Sequence, residues 1–157
     1  MPSDRNRILV ESIKRLLRRG ASSHLGKIVN KTHAADLSVV FRSLSLGEQR
    51  KLFNMISDVE QKGILFSELD EDTFHDLIED MKVEDIVRIL ESMPADDVAD
   101  IIGRLPEDKS KTILDKMKKA ESEEVEDLLR YGDDTAGGIM VPDFIALRED
   151  VTAKKAI

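Results

Sequence analysis

From His33 to Met117 the chain repeats itself about every twelve residues, and no other feature limits its folding choices as much. The blocks read HAADLSVVFRSL, SLGEQRKLFNMI, SDVEQKGILFSEL, DEDTFHDLIEDM, KVEDIVRILESM, PADDVADIIGRL and PEDKSKTILDKM. Six have twelve residues and one, 57–69, has thirteen. Each opens on cap-compatible or acidic residues, places an apolar pair at its eighth and ninth positions and closes on an apolar residue. The pairs run Val40–Phe41, Leu52–Phe53, Ile64–Leu65, Leu77–Ile78, Ile89–Leu90, Ile101–Ile102 and Ile113–Leu114.

Apolar positions five, eight, nine and twelve follow the i, i+3, i+4, i+7 spacing of one helix face, so each block is expected to be one amphipathic helix. Pro94 and Pro106 are placed where first turns begin, a position that loses nothing by lacking an N–H. Acidic first turns such as Glu84 and Asp85, or Asp96 and Asp97, complement the positive end of the helix dipole. Helices of two to three turns are unstable alone and must stack on neighbours, which predicts an all-α solenoid. An aromatic share of 4% with no Trp fits that reading and disfavours a β-sandwich.

Two flanks differ from the repeat. Residues 1–32 read as a basic helix over Arg5 to Arg19, ending near Gly20, followed by a linker. Residues 33–131 form the helical ladder, including a last helical segment around Val125 to Leu129. Residues 132–157 read as a turn-rich linker through Gly137 and Gly138, a strand at Phe144 to Leu147, and a helix start after Asp150. A strand and one helical turn cannot bury themselves, so this last stretch is expected to begin a second domain.

Charge is distributed as unevenly as the repeat is regular. Residues 1–32 hold eight basic and two acidic side chains, whereas residues 68–100 hold thirteen acidic and two basic ones. The acidic stretch repels itself unless it is solvated, paired or met by cations. A net charge of −8 argues against nucleic acid as a partner, because phosphate binding needs clustered positive charge. With no Cys, thiolate metal sites and cysteine nucleophiles are excluded. No apolar run approaches a membrane span, and no signal-peptide core follows Met1, so a cytosolic, soluble chain is expected.

The ladder, the DDVADII run at 96–102 and the stretch LLRYGDDTAGGIMVPDFIALREDVTAKKAI at 128–157 resemble the amino-terminal cytosolic domain of the MgtE family of magnesium transporters and channels. That resemblance implies a right-handed superhelix of short helices, followed by a CBS pair and a transmembrane pore of the same polypeptide. It also implies a homodimer in full length, with the domain on the cytoplasmic side of the inner membrane. The function implied is regulatory, with Mg2+ ions lodged between superhelix, CBS pair and pore helices holding the pore shut. Asp96 and Asp100 match positions at which the family's superhelix supplies metal-ligating aspartates. Asp97, pointing in a neighbouring direction, is a further candidate, and Gly138 matches a position whose backbone carbonyl takes part. A further family glutamate, on the third helix of the ladder, falls at Gly63 or Ile64 and has no counterpart.

The residues are compatible with that chemistry. Magnesium is a hard cation that keeps several waters and is typically held by one or two carboxylates. Asp96 and Asp100, four residues apart, share one helix face. Asp96 and Asp97 also serve simply as first-turn acids. His24, His33 and His75 have no metal-ligand spacing, and neither a phosphate-binding glycine loop nor a Ser–His–Asp arrangement is present, so no enzymatic activity is expected. The competing expectation is a metal-independent solenoid that docks other proteins, as in CBS-containing or flagellar-switch-like soluble proteins.

Overall fold

In the computed structural model of the chain, residues 4–131 and positions 135 and 137 are described. Among the described residues there are ten α-helices and no strand. The strand expected at 144–147 and the helix start after Asp150 lie outside the described residues, as does Gly138. The helices are α1 (Asp4–Arg19), α2 (Ser22–Val29), α3 (Ala34–Phe41), α4 (Leu46–Asn54), α5 (Val59–Glu68), α6 (Glu71–Ile78), α7 (Val83–Leu90), α8 (Ala95–Gly103), α9 (Glu107–Leu114) and α10 (Lys119–Leu129).

The twelve-residue blocks and the helices coincide almost residue for residue. The first residue of a block is the N-cap of its helix at His33, Ser45, Asp70, Lys82, Pro94 and Pro106. The two prolines therefore sit one position before the first turn, where their carbonyls accept from Val98 and Ser110 N–H at 3.0 and 2.9 Å. Lys118, one period after Pro106, caps α10 in the same way. Positions five, eight, nine and twelve supply the core, as with Leu37, Val40, Phe41 and Leu44 in the first block or Val98, Ile101, Ile102 and Leu105 in the sixth.

The thirteen-residue block departs from its expected register. Its N-cap is its second residue, Asp58, whose carboxylate accepts the Glu60 N–H at 3.0 Å. The extra residue is Ser57, which stays in the loop, held by N–H and hydroxyl donation to Asn30 Oδ1 at 2.8 and 2.7 Å. The buried pair is consequently Leu65 and Phe66, and Ile64, expected inside, is 55% exposed. A second departure is α2, which occupies residues read as linker.

Packing follows alternate helices: α1, α3, α5, α7 and α9 contact in succession, as do α2, α4 and α6, while α8 packs on α5 and most extensively on α10. Phe53, Phe66 and Phe74 meet in the middle, the first two stacked at 5.3 Å and the last two edge to face at 5.5 Å. Each such buried ring contributes about 1.5–3 kcal/mol.

Short helices leave many carbonyls exposed at their ends, and this chain satisfies them with side chains from other layers. Gln49 Nε2 donates to the Phe41 carbonyl at 2.9 Å, and the Ser110 hydroxyl donates to that of Ile102 at 3.1 Å. Over longer spans, Gln61 Nε2 donates to the Thr32 carbonyl and Lys109 Nζ to that of Ile78, at 2.7 and 2.6 Å. Arg104 donates to the Phe66 and Leu69 carbonyls at 3.2 and 3.0 Å while its guanidinium lies 4.2 Å over the Phe74 ring. The Arg104 bonds fasten the end of α8 to the end of α5, while α8 also packs on α10.

Candidate functional site

Helix α8 begins at Pro94 and brings Asp96 and Asp97 into its first turn, where the helix dipole favours ionised carboxylates. One turn on, Asp100 adds a third acid. All three line one open cleft of about 570 Å³, whose other walls include Ser67, Arg104, Leu128, Leu129 and Tyr131. The three aspartates expected from sequence thus line the same cleft.

Their electrostatics are those of three neighbouring acids with one guanidinium, Arg104, in the same cleft. The Asp97 carboxyl is pushed above the usual range, first by partial burial and then by the negative charges of Asp96 and Asp100. Asp96 is half-buried, and its Oδ1 is shielded from water with no hydrogen-bond donor among the described residues. A shielded carboxylate oxygen without a donor is costly, and a cation is one way to satisfy it.

The donor set fits a partly hydrated divalent cation better than a closed cage. Among the described residues no three His, Asp or Glu side chains converge closely enough to hold a metal by themselves. One or two carboxylates with retained waters is the usual demand of magnesium. The position of the missing family glutamate offers no substitute. A Cβ added at Gly63 would stand 2.6 Å from Met93 Cγ and Sδ, so that site faces packed side chain, whereas Ile64 projects to solvent.

The histidines and the block-closing methionines fall elsewhere. His33 caps α3 without a side-chain hydrogen bond, and His75 Nε2 lies 3.9 Å from Glu71 on an exposed face. Met81, Met93 and Met117 pack in or against the core. Sequence reasoning missed Arg104, Ser67 and Tyr131. For Arg104 a signal existed, since it follows Asp100 by four residues and so shares its face. The other two come to the cleft only through tertiary packing.

Comparison with known proteins gives a consistent answer. The family model of the MgtE intracellular N domain matches residues 32–134. The cytosolic domain of the Mg2+ channel MgtE in complex with ATP has a similar structure, with a TM-score of 0.81 and 25% identity over 91% of this chain and 58% of that one. The soluble part of a magnesium transporter shares the fold at a TM-score of 0.76 and 21% identity, over 89% of this chain and 55% of that one. The chain therefore spans little more than half the length of either. No curated protein matches it.

Proposed function

Because this chain belongs to the MgtE intracellular N-domain family, we propose that it is the cytosolic regulatory module of a magnesium transporter or channel, gating it in response to intracellular Mg2+. The observation that supports the reading is the cleft along α8, which Asp96, Asp97 and Asp100 all line and in which one Asp96 oxygen is shielded with no donor among the described residues.

In this reading Mg2+ is a regulatory ligand and the role is not catalytic. With magnesium abundant, hydrated ions sit between the α8 aspartates and the module that follows in the same polypeptide, a CBS pair leading to the pore. The Gly138 carbonyl is a further ligand from the connecting segment. With magnesium scarce, the aspartates repel the acidic groups opposite, the two modules separate and the pore opens. The domain works on the cytoplasmic side of the inner membrane, within a homodimer.

Magnitudes set a condition on this scheme. Like charges four residues apart on an exposed helix cost only about 0.2–0.5 kcal/mol, which changes a population roughly twofold. Moving an equilibrium from mostly open to mostly closed takes about 5 kcal/mol. Several ions must therefore act together, and weak cooperative binding suits a sensor of an abundant cation.

The test is magnesium flux through the full-length protein in vesicles, with internal Mg2+ varied. Asp96→Asn combined with Asp100→Asn is expected to raise the inhibitory magnesium concentration severalfold without changing maximal flux. An unchanged inhibition curve would favour the metal-independent docking module instead.

A further inference from the structure

A second cleft, remote from the α8 aspartates, has the opposite character. It is an open cleft of about 390 Å³ lined by residues of α4, α5, α6, α7 and the turn between α6 and α7. That volume is typical of small-molecule sites. Four cationic side chains, Arg50, Lys62, Lys82 and Arg88, line it against two carboxylates, Asp80 and Asp85. In a chain of net charge −8, such a local excess of positive charge stands out.

Both carboxylates are already engaged. Asp80 pairs with Arg50, and Asp85 lies 3.6 Å from Arg88 Nη1. Among the described residues neither Lys62 nor Lys82 has an ion-pair partner within 4 Å. The Lys62 ammonium is held 5.1 Å over the Phe53 ring, and partial burial pulls its pKa down against the opposing pull of Asp85. Arg50 contributes a further unused donor: its Nε is shielded from water and finds no acceptor among the described residues. The apolar part of the lining comes from Phe53, Val59, Leu77, Met81 and Ile89, most of them nearly buried.

We propose that this cleft binds a small dianion carrying an apolar ring, of which an aryl phosphate is the simplest form. The anion lies between the Lys62 and Lys82 ammonium groups and the Arg50 Nε, and the ring rests on the apolar lining. Charge-assisted hydrogen bonds to a partly desolvated ammonium are stronger than those made in open water. The lining converges on one depression from four consecutive segments, which suits a compact ligand better than an extended peptide. None of the α8 aspartates lines this cleft, so the inference stands independently of the magnesium reading.

Calorimetric titration of the full chain with phenyl phosphate at low ionic strength tests it, with inorganic phosphate and a poly-glutamate peptide as comparisons. Phenyl phosphate should bind saturably and about fivefold or more tighter than inorganic phosphate, because only the former buries a ring. Lys62→Met and Lys82→Met should each weaken it about threefold or more while leaving the helical circular dichroism unchanged. Equal affinities for the two phosphates, or for parent and both variants, would overturn the assignment. So would binding of the acidic peptide alone, which would make the cleft a protein-docking surface.

Discussion

At Gly63 the absence of a side chain is a packing requirement. A methyl group there would stand 2.6 Å from both Cγ and Sδ of Met93, so the Met93 side chain would have to repack. Helix propensity alone favours Ala over Gly by about 1 kcal/mol, and overpacking costs about 1–3 kcal/mol, so the second effect wins. Gly63→Ala is expected to lower stability by roughly 1 kcal/mol in urea denaturation. A double-mutant cycle with Met93→Ala should show coupling of about 0.5 kcal/mol or more. A stabilised Gly63→Ala would contradict this. At this scale the sequence was legible for chemistry and opaque for placement. Asp96 and Asp100 stand out because they match positions in the family that the chain resembles, and helical spacing adds only that the two share one face. That Gly63 meets Met93, thirty positions away, depends on how layers stack, which local periodicity does not encode.

Helix α6 illustrates what a cap contributes to an element of eight residues. Asp70 accepts the Thr73 N–H at 3.0 Å and pairs with Arg42 Nε at the same distance. The Thr73 hydrogen bond chiefly, with the Arg42 charge assisting, holds the Asp70 carboxyl below its ordinary range. A carboxyl depressed in the folded state stabilises it above the unfolded pKa, and that stabilisation is lost as pH falls through the folded value. Asp70→Ala should therefore cost about 1 kcal/mol at neutral pH, a difference that shrinks as the medium is acidified below the ordinary carboxylate range. Chemical denaturation of parent and variant across that range checks it, and a pH-independent difference would refute it. Elements were the most legible level, because a cap residue and an apolar set recur together in every block. The two failures have physical causes. Ser57 is absorbed before the cap of α5 by Asn30, a partner 27 positions away, so counting from the block start misplaced the buried pair. Helix α2, with the sequence SSHLGKIV, lies outside the repeat and contains Gly26, so its short apolar set, Leu25, Ile28 and Val29, is passed over.

Across the whole molecule, stability is shared between neighbouring layers, as in any stack of short helices. The carbonyl ties from Gln61, Lys109 and Arg104 join layers about thirty residues apart, and Arg104 in particular holds the end of α8, and with it the aspartate cleft, to α5. In the proposed scheme a cation at α8 would act on a braced element rather than on a free helix, which transmission to a following module would require. The stacking order was not legible from the repeat, since identical blocks do not say which ones touch.

The most direct test of the magnesium account is limited proteolysis of the full-length protein in the segment 132–138, titrated with Mg2+ in the parent and in the Asp96→Ala/Asp100→Ala variant. The account predicts that millimolar magnesium protects the parent and that the variant needs several times more for the same protection. Identical cleavage of both proteins at every ion concentration would contradict it.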